Sequence, residues 1–488
     1  MPNRASFRLI PALNTYPKVV ALAQTIPGKV IVLGVYAFGL SLHSGNWLPI
    51  SIMLTVLTFL PRYRAPLLVC ATFIALYLGG WLNFDILANN EEGELIGRAW
   101  FKPVVVLVVL LSFAGYYRLV KERKGGWLGK RPIRNLMLFY LGLICLASTV
   151  PLPGTLWIAV WAVVIVLGKY LWYFNYALLD RQAKDTPHLG LQTGHFLPFW
   201  GGSNVPFPKG AAYLRRIEAK TPEQLAVCQL KGIKLLAWTL VLTLVSGMLE
   251  QLFYGNPERG DSFLGITLSM GFPSFNAVLH SGAGQTPYPW YMNWLALLAS
   301  FCVKMVNFSV WGHGIIATSR MAGYNALRNT YKPLQATTIA DFWNRYYYYF
   351  KELLVENFFY PAFLRYFKKS PRLRLFFATL AAAGFGNVLY HYLRDIDVII
   401  TLGPWQALVA FHVYLFYGIV LGTAIGLSQL LEKKRPAEEQ SWLARRVVKP
   451  TAVIMFYCLL SIFDDPDRNM VLADYFSFLL RLFNIHPE

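Results

Sequence analysis

The sequence predicts an all-α integral membrane protein, a polytopic helical bundle of about 10–12 transmembrane segments with a re-entrant or interfacial segment near 341–364. Three observations carry this expectation. The 488-residue chain is 56% hydrophobic and only 14% charged, with a mean hydropathy of +0.42, whereas a soluble chain of this length needs far more polar surface. Apolar runs long enough to cross a bilayer recur along its whole length. The loops between them alternate in charge, as expected of a chain that crosses repeatedly. One integral domain, 1–488, follows rather than separate soluble units.

Taken in order, the spanning candidates lie near 30–47, 48–61, 66–85, 102–118, 135–151, 154–178, 232–254, 290–317, 375–393, 404–431 and 449–463. The second and the last are 14 and 15 residues long, against the roughly 20 of a full span, and suit tilted, paired or partly inserted helices. The N-terminus is basic (Arg4, Arg8, Lys18), but the first apolar run begins only after Lys29. It lacks a small-residue cleavage site after it, so no cleavable signal peptide is expected. No internal repeat is visible, which weakens a transporter reading built on inverted repeats.

Basic loops are the N-terminus, Arg62 to Arg64, Arg118 to Arg134, Arg181 to Lys234, Arg320 to Arg345, Arg365 to Arg374 and Lys433 to Lys449. Acidic or neutral ones are Asp85 to Glu94 (with Glu91 and Glu92), Val150 to Gly154 and Glu250 to Gln285. The basic set is assigned to the cytoplasm, with the N-terminus inside, as in a bacterial cytoplasmic (inner) membrane. The net charge of +20 resides in these loops, which points to anionic headgroups of the lipid bilayer rather than nucleic acid. The five cysteines are scattered, without CxxC spacing, and imply neither disulfides nor zinc.

The largest cytoplasmic loop, 179–231, is dense in Gly, Pro and aromatics from Gly194 to Gly210 (Gly202 and Ser203 included) and predicts an ordered irregular loop. A short helix is expected from Thr221, with Pro222 in its first turn and Gln224 completing a capping box. Residues 342–364 lie between two basic loops, so the chain enters and leaves on the same side there. Phe342 to Glu352 is too polar and aromatic to face lipid, which predicts a re-entrant or interfacial helix buried in protein.

His391 stands near the outer end of an apolar helix that carries no charge between Arg374 and Arg394. An ionisable ring there is costly without a partner or a task. It reads either as a functional group or as a histidine bonded to a neighbouring helix. His313 and His412 lie in or near apolar runs and carry the same argument, and His412, facing the next helix, is a candidate substrate-binding side chain. His188 and His195 are seven apart in a loop without further plausible ligands, so no metal site is expected.

Residues 311–361 run Trp311-Gly312-His313-Gly314, Gly323-Tyr324-Asn325, Tyr331-Lys332-Pro333-Leu334, Asp341-Phe342-Trp343-Asn344-Arg345-Tyr346-Tyr347 and Phe358-Phe359-Tyr360-Pro361. The histidine helix follows about thirty residues later. This order resembles the membrane-bound O-acyltransferase (MBOAT) family, in which a Phe-Trp pair opens an amphipathic segment and a membrane-embedded histidine follows. The resemblance covers 305–425; the N-terminal half matches only as a multi-span bundle. At the position four beyond Trp343, where the family places His or Asn, this chain has Tyr347. Either Tyr347 or the nearby Asn344 takes that role, or the role is dispensable.

The resemblance implies transfer of an acyl group from a cytoplasmic thioester, acyl-CoA or an acyl-carrier protein, to a hydroxyl of a glycan, lipid or small metabolite, possibly extracytoplasmic. No bound cofactor is implied beyond that donor. A hydroxyl is a weak nucleophile and needs a general base, a role that histidine suits. An apolar setting disfavours the imidazolium and leaves the neutral ring a base requires. His391 is therefore the candidate base. Tyr347, Asn344 and Asn387 are candidates to stabilise the carbonyl oxygen. Asn387, one turn before His391, equally suits orienting the imidazole or an interhelical hydrogen bond. Trp343 is carried over as substrate-binding. Of the cytoplasmic cations Lys209, Arg215, Arg216, Lys220, Arg328, Lys332 and Arg345, the last two flank the motif and are singled out for donor phosphates, against the alternative that most of them are positive-inside charges only. The alternative function is a multi-span transporter or flippase with His391 and Asn387 as a substrate or proton site.

Overall fold

The computed structural model describes residues 9–78, 80, 82–88, 93–123, 126–201, 204–255, 268–281, 287–431, 441–464 and 470–485. Arg4, Arg8, Glu91, Glu92, Gly202, Ser203 and Lys433, singled out above, lie outside these residues, as do 256–267 and 282–286 of the Glu250 to Gln285 loop. The described residues are helical, apart from loops and a single antiparallel bridge between Glu218 and Tyr324.

Among the described residues, eight helices are long and apolar enough to cross a membrane: Phe101–Glu122, Pro132–Thr149, Gly154–Asp180, Pro222–Tyr254, Trp290–Met321, Pro371–Arg394, His412–Leu431 and Ala444–Phe463. Two bent pairs, Pro17–Gln24 with Ile26–Ser41 (99°) and Trp47–Phe59 with Pro61–Tyr77 (106°), bring the number to ten if each pair is one span. The chain is thus an all-α polytopic bundle. Hydrocarbon offers no partner to a backbone amide, so each span closes its hydrogen bonds within itself.

Several boundaries differ from the sequence expectation. The first helix begins at Pro17 rather than after Lys29 and turns at Thr25, whose hydroxyl accepts from the Gly28 amide at 3.1 Å and starts a second helix. The expected separate spans 48–61 and 66–85 join in one elbow. Leu60, at φ −118° and ψ 56°, leaves the helical region because Pro61 follows it. The run 404–431 is divided at Phe411 into Pro404–Ala410 and His412–Leu431. The helix expected to be short from Thr221 is 33 residues long, Pro222–Tyr254. Its cap forms as anticipated, Thr221 Oγ1 accepting from the Gln224 amide at 3.1 Å, but no breaker separates the cap from the apolar run that follows.

Gly154–Asp180 is the central span, with Trp161, Tyr170 and Phe174 fully buried. Phe174 stacks on Phe113 of Phe101–Glu122 with ring centroids 3.7 Å apart. The loop after it folds back as an ordered irregular segment. Phe196, Phe199, Trp200 and Phe207 are buried, and the Trp200 indole donates to the Phe207 carbonyl at 2.6 Å.

A buried ion pair joins this loop to the elbow. Arg64, 2% exposed, donates to Glu218 Oε1 at 3.0 Å and to the Ala219 carbonyl at 2.8 Å. Gly323 lies beneath it at φ +95°, where a Cβ would sit 2.9 Å from the guanidinium carbon. Only glycine supplies both that backbone and that space. Glu218→Leu leaves the guanidinium buried and unpaired, which costs about 3–5 kcal/mol. Arg215→Leu removes a half-exposed partner 3.9 Å away, worth under about 1 kcal/mol. We expect the unfolding midpoint of the purified protein to drop clearly only for the first; equal midpoints would remove this pair from the account.

Candidate functional site

Four pieces build the site: the histidine helix Pro371–Arg394, its neighbour His412–Leu431, the Phe-Trp segment 339–365 and the last span, Ala444–Phe463. In the Phe-Trp segment, Thr338 caps Ile339–Tyr346 by accepting from the Asp341 amide at 3.0 Å. The helix stops at Tyr347, at φ −136° and ψ 70°, and restarts as Tyr348–Leu354. The segment is therefore a broken helix and not one of the spans, which suits a stretch too polar for lipid but supported by surrounding protein. The last span holds its start. The Tyr457 hydroxyl donates to the Ile339 carbonyl at 2.7 Å, and Phe342 stacks on the Tyr457 ring at 3.9 Å.

The histidine helix meets its neighbour through glycines. A Cβ on Gly422 would lie 2.9 Å from the Gly384 nitrogen, and one on Gly418 would lie 2.5 Å from Val388 Cγ2. Gly418, Gly422 and Gly426 recur every four residues, the small-residue spacing that lets two helices touch backbone to backbone in lipid. Across the contact, Leu380–Gly386 is wound as π-helix, a local widening often found at functional sites.

Between the Phe-Trp segment, the histidine helix and its neighbour lies a cavity of ≈ 240 Å³ whose polar lining includes Trp343, Asn344, Lys351, Thr379, Asn387 and Gln429. Thr379 donates to Gln429 Oε1 at 2.8 Å at one end. Asn387 closes the other end, eight residues or about 12 Å further along the helix. Asn387 is buried, and its Oδ1 accepts from the Tyr414 hydroxyl at 3.5 Å. The Tyr414 ring lies against His391, centroids 4.6 Å apart. Phe350 meets His391 edge-on at 5.9 Å and also contacts Trp343 at 6.1 Å and Tyr347 at 5.0 Å. His391 itself is half-buried, one turn beyond the cavity wall.

The structure thus brings Trp343, Asn344 and Asn387 to one cavity, with His391 adjacent. Tyr347 packs among Phe308, Trp311 and Phe350 and is not in the cavity lining. Arg345 is paired with Asp341 at 2.7 Å, and the Lys332 ammonium lies over the Tyr331 ring at 5.5 Å; neither lines the cavity. The cation in the wall is Lys351, which sequence reasoning passed over. His412 binds the Val409 carbonyl through Nδ1 at 2.8 Å, at the break before its helix. Tyr414 and Phe350, which flank His391 together with its chain neighbour Tyr390, were also missed. Their only sequence signal is spacing, since Tyr414 lies one turn before Gly418. Among the described residues, no three His, Cys, Asp or Glu side chains are grouped to hold a metal ion. Compared with known proteins, the chain matches no family model and no curated protein.

Two predictions follow from this packing. Gly422→Leu forces the histidine helix away from its neighbour, at about 1–3 kcal/mol in stability. Gly34→Leu, where no atom lies within 4 Å of a Cβ, is the matched control. Comparable unfolding midpoints for the two would show that the glycine contact does not set the helix spacing. The second concerns His195 in the loop after Gly154–Asp180. Burial pushes it down to about 4, the Leu191 carbonyl opposing this and the Arg215 charge adding to it. A base with a depressed folded-state pKa gives stability that is complete above the unfolded value of about 6.5 and declines as pH falls toward 4, by up to about 3 kcal/mol. The wild type should lose stability over that window, and His195→Gln should lose markedly less; parallel curves would contradict this.

Proposed function

We propose that this chain is a membrane-embedded O-acyltransferase. It moves an acyl group from a cytoplasmic thioester, carried by coenzyme A or an acyl-carrier protein, to a hydroxyl of a glycan, lipid or small metabolite. The observation that carries this reading is the juxtaposition of the Phe-Trp segment and the histidine helix across one cavity, with Trp343, Asn344 and Asn387 in its wall and His391 a turn beyond. The resemblance of 311–361 and the later histidine to the MBOAT family supports it. The loop charges support a bacterial cytoplasmic membrane with the N-terminus inside.

In the proposed reaction, neutral His391 takes the proton of the acceptor hydroxyl as its oxygen attacks the thioester carbonyl carbon. The carbonyl oxygen gains charge, and in this reading the amide of Asn344 or Asn387 donates to it. The C–S bond breaks, and the imidazolium returns its proton to the leaving thiolate. Asn387 and Tyr414 together orient the histidine: one is bonded to the other, and the tyrosine ring backs the imidazole. Lys351 lines the wall with its ammonium already bonded to Glu352 and lying over the Tyr348 ring at 4.8 Å, so its charge is balanced within the protein.

His391→Ala should lose about 10²–10⁴-fold in acyl transfer, measured as thioester cleavage and ester formation by purified protein in detergent. Retention of full transfer would sink the proposal. A transporter or flippase using His391 and Asn387 would show no thioester cleavage in the wild type either. Because the base acts in its neutral form, the rate should fall on the acid side of its titration. A rate constant from pH 5 to 8, with chemistry limiting, would exclude the base role.

A further inference from the structure

A second cavity, of ≈ 390 Å³, lies apart from the histidine site, where Lys231 and Lys234 of Pro222–Tyr254 approach Arg320 in the last turn of Trp290–Met321. Arg328 and Asn325 of the following loop complete one wall, and Asn14 of the N-terminal segment the other. Its size falls in the range of roughly 300–1,000 Å³ usual for small-ligand sites. Among the described residues, four cations line it and no carboxylate does.

These groups are held in place. Arg320, 8% exposed, donates through Nε and through its second terminal nitrogen to the Ala326 carbonyl, at 2.9 and 2.6 Å. The carbonyl end of its own helix offsets that one charge in part. Lys231 Nζ reaches Asn325 Oδ1 at 3.5 Å, and the Arg328 guanidinium lies over the Tyr331 ring at 5.4 Å. Burial holds Arg328 below its ordinary pKa, with Tyr331 opposing it. Partly buried cations crowded together are costly unless an anion joins them. Leu327, half exposed, flanks the same cavity, and the bent helix Pro17–Gln24 with its exposed Leu22 begins beside it. Such surroundings place the cations where apolar chains meet water, at the basic ends of two spans.

We propose that this cavity binds a phosphate-bearing anion, and that an anionic phospholipid headgroup is the source it fits. Basic pockets between transmembrane helices recognise such headgroups by charge and by hydrogen bonds to phosphate oxygens. The assignment is independent of the histidine cavity and shares no lining residue with it; of its four cations, Arg328 alone was weighed above for donor phosphates.

The test is native mass spectrometry and thermal unfolding of the full-length protein, titrated with phosphatidylglycerol, diacylglycerol and inorganic phosphate. Phosphatidylglycerol should be retained at least tenfold better than diacylglycerol. Lys231→Gln combined with Arg328→Gln should weaken it roughly thirtyfold, on about 1 kcal/mol per cation. Arg328→Lys should retain binding. Lys368→Gln with Lys369→Gln, the same charge change on another basic loop, should leave it unaltered. If inorganic phosphate stabilises the wild type and not the double variant, while phosphatidylglycerol is no better, the site stands and its source is soluble phosphate. If neither compound distinguishes wild type from variant, or if the control pair loses as much, the proposal is overturned. Should the double variant not fold, the single Lys231→Gln, at a half-exposed position, carries the comparison.

Discussion

The contact between Gly384 and the pair Gly418 and Gly422 determines how the two helices beside the cavity are set. In lipid, apolar side chains gain little by leaving other apolar neighbours, so close packing has to hold helices together. With no Cβ at these positions, the backbones approach to within contact, and larger side chains fill the space on either side. Val388 lies over Gly418, Phe376 over Gly426 and Phe358 over Gly386. That register brings the Tyr414 hydroxyl to Asn387 and the Tyr414 ring to His391. A shift of one residue would rotate each of these groups by about 100° and separate them.

The Phe-Trp segment depends on anchors outside itself. Tyr457 and Phe342 fix its start, and Lys209 fixes its second half by bonding to Glu352 and, at 2.7 Å, to Glu356. Burial alone would lower the Lys209 pKa; the hydrogen bonds and charges of the two carboxylates outweigh it and raise it. Phe207, two residues before Lys209, packs edge-on against Trp311 and Tyr349. The loop after Gly154–Asp180 is thereby part of the support for the segment. Clamped at both ends, the segment breaks at Tyr347, and Trp343 and Asn344 before the break share a cavity wall with Lys351 after it.

Much of the architecture was legible in the sequence. Hydropathy marks spans because each must be apolar over a fixed length, and loop charge orders them because cations resist translocation. A polar, aromatic segment between two basic loops had to avoid lipid. His391 stood out because an ionisable group in an apolar helix is expensive. Helix continuity was harder to see: the elbow at Leu60 and Pro61 and the fusion from Thr221 into Pro222–Tyr254 depend on whether a breaker interrupts two apolar runs, and hydropathy does not register that.

By itself the sequence determined the class of the protein, most of its spanning segments, and the residues that attract attention: His391, Asn387, Trp343 and Asn344. These are properties of one segment at a time, and local composition and periodicity encode them. Only the tertiary structure decided that Tyr414 and Phe350 bracket His391, that Lys351 rather than Lys332 or Arg345 enters the cavity wall, and that four basic residues from two helices and a loop enclose a second cavity. Each of these joins residues far apart in the chain. Such pairings follow from which helix faces fit backbone to backbone, a matter of shape that no single segment specifies.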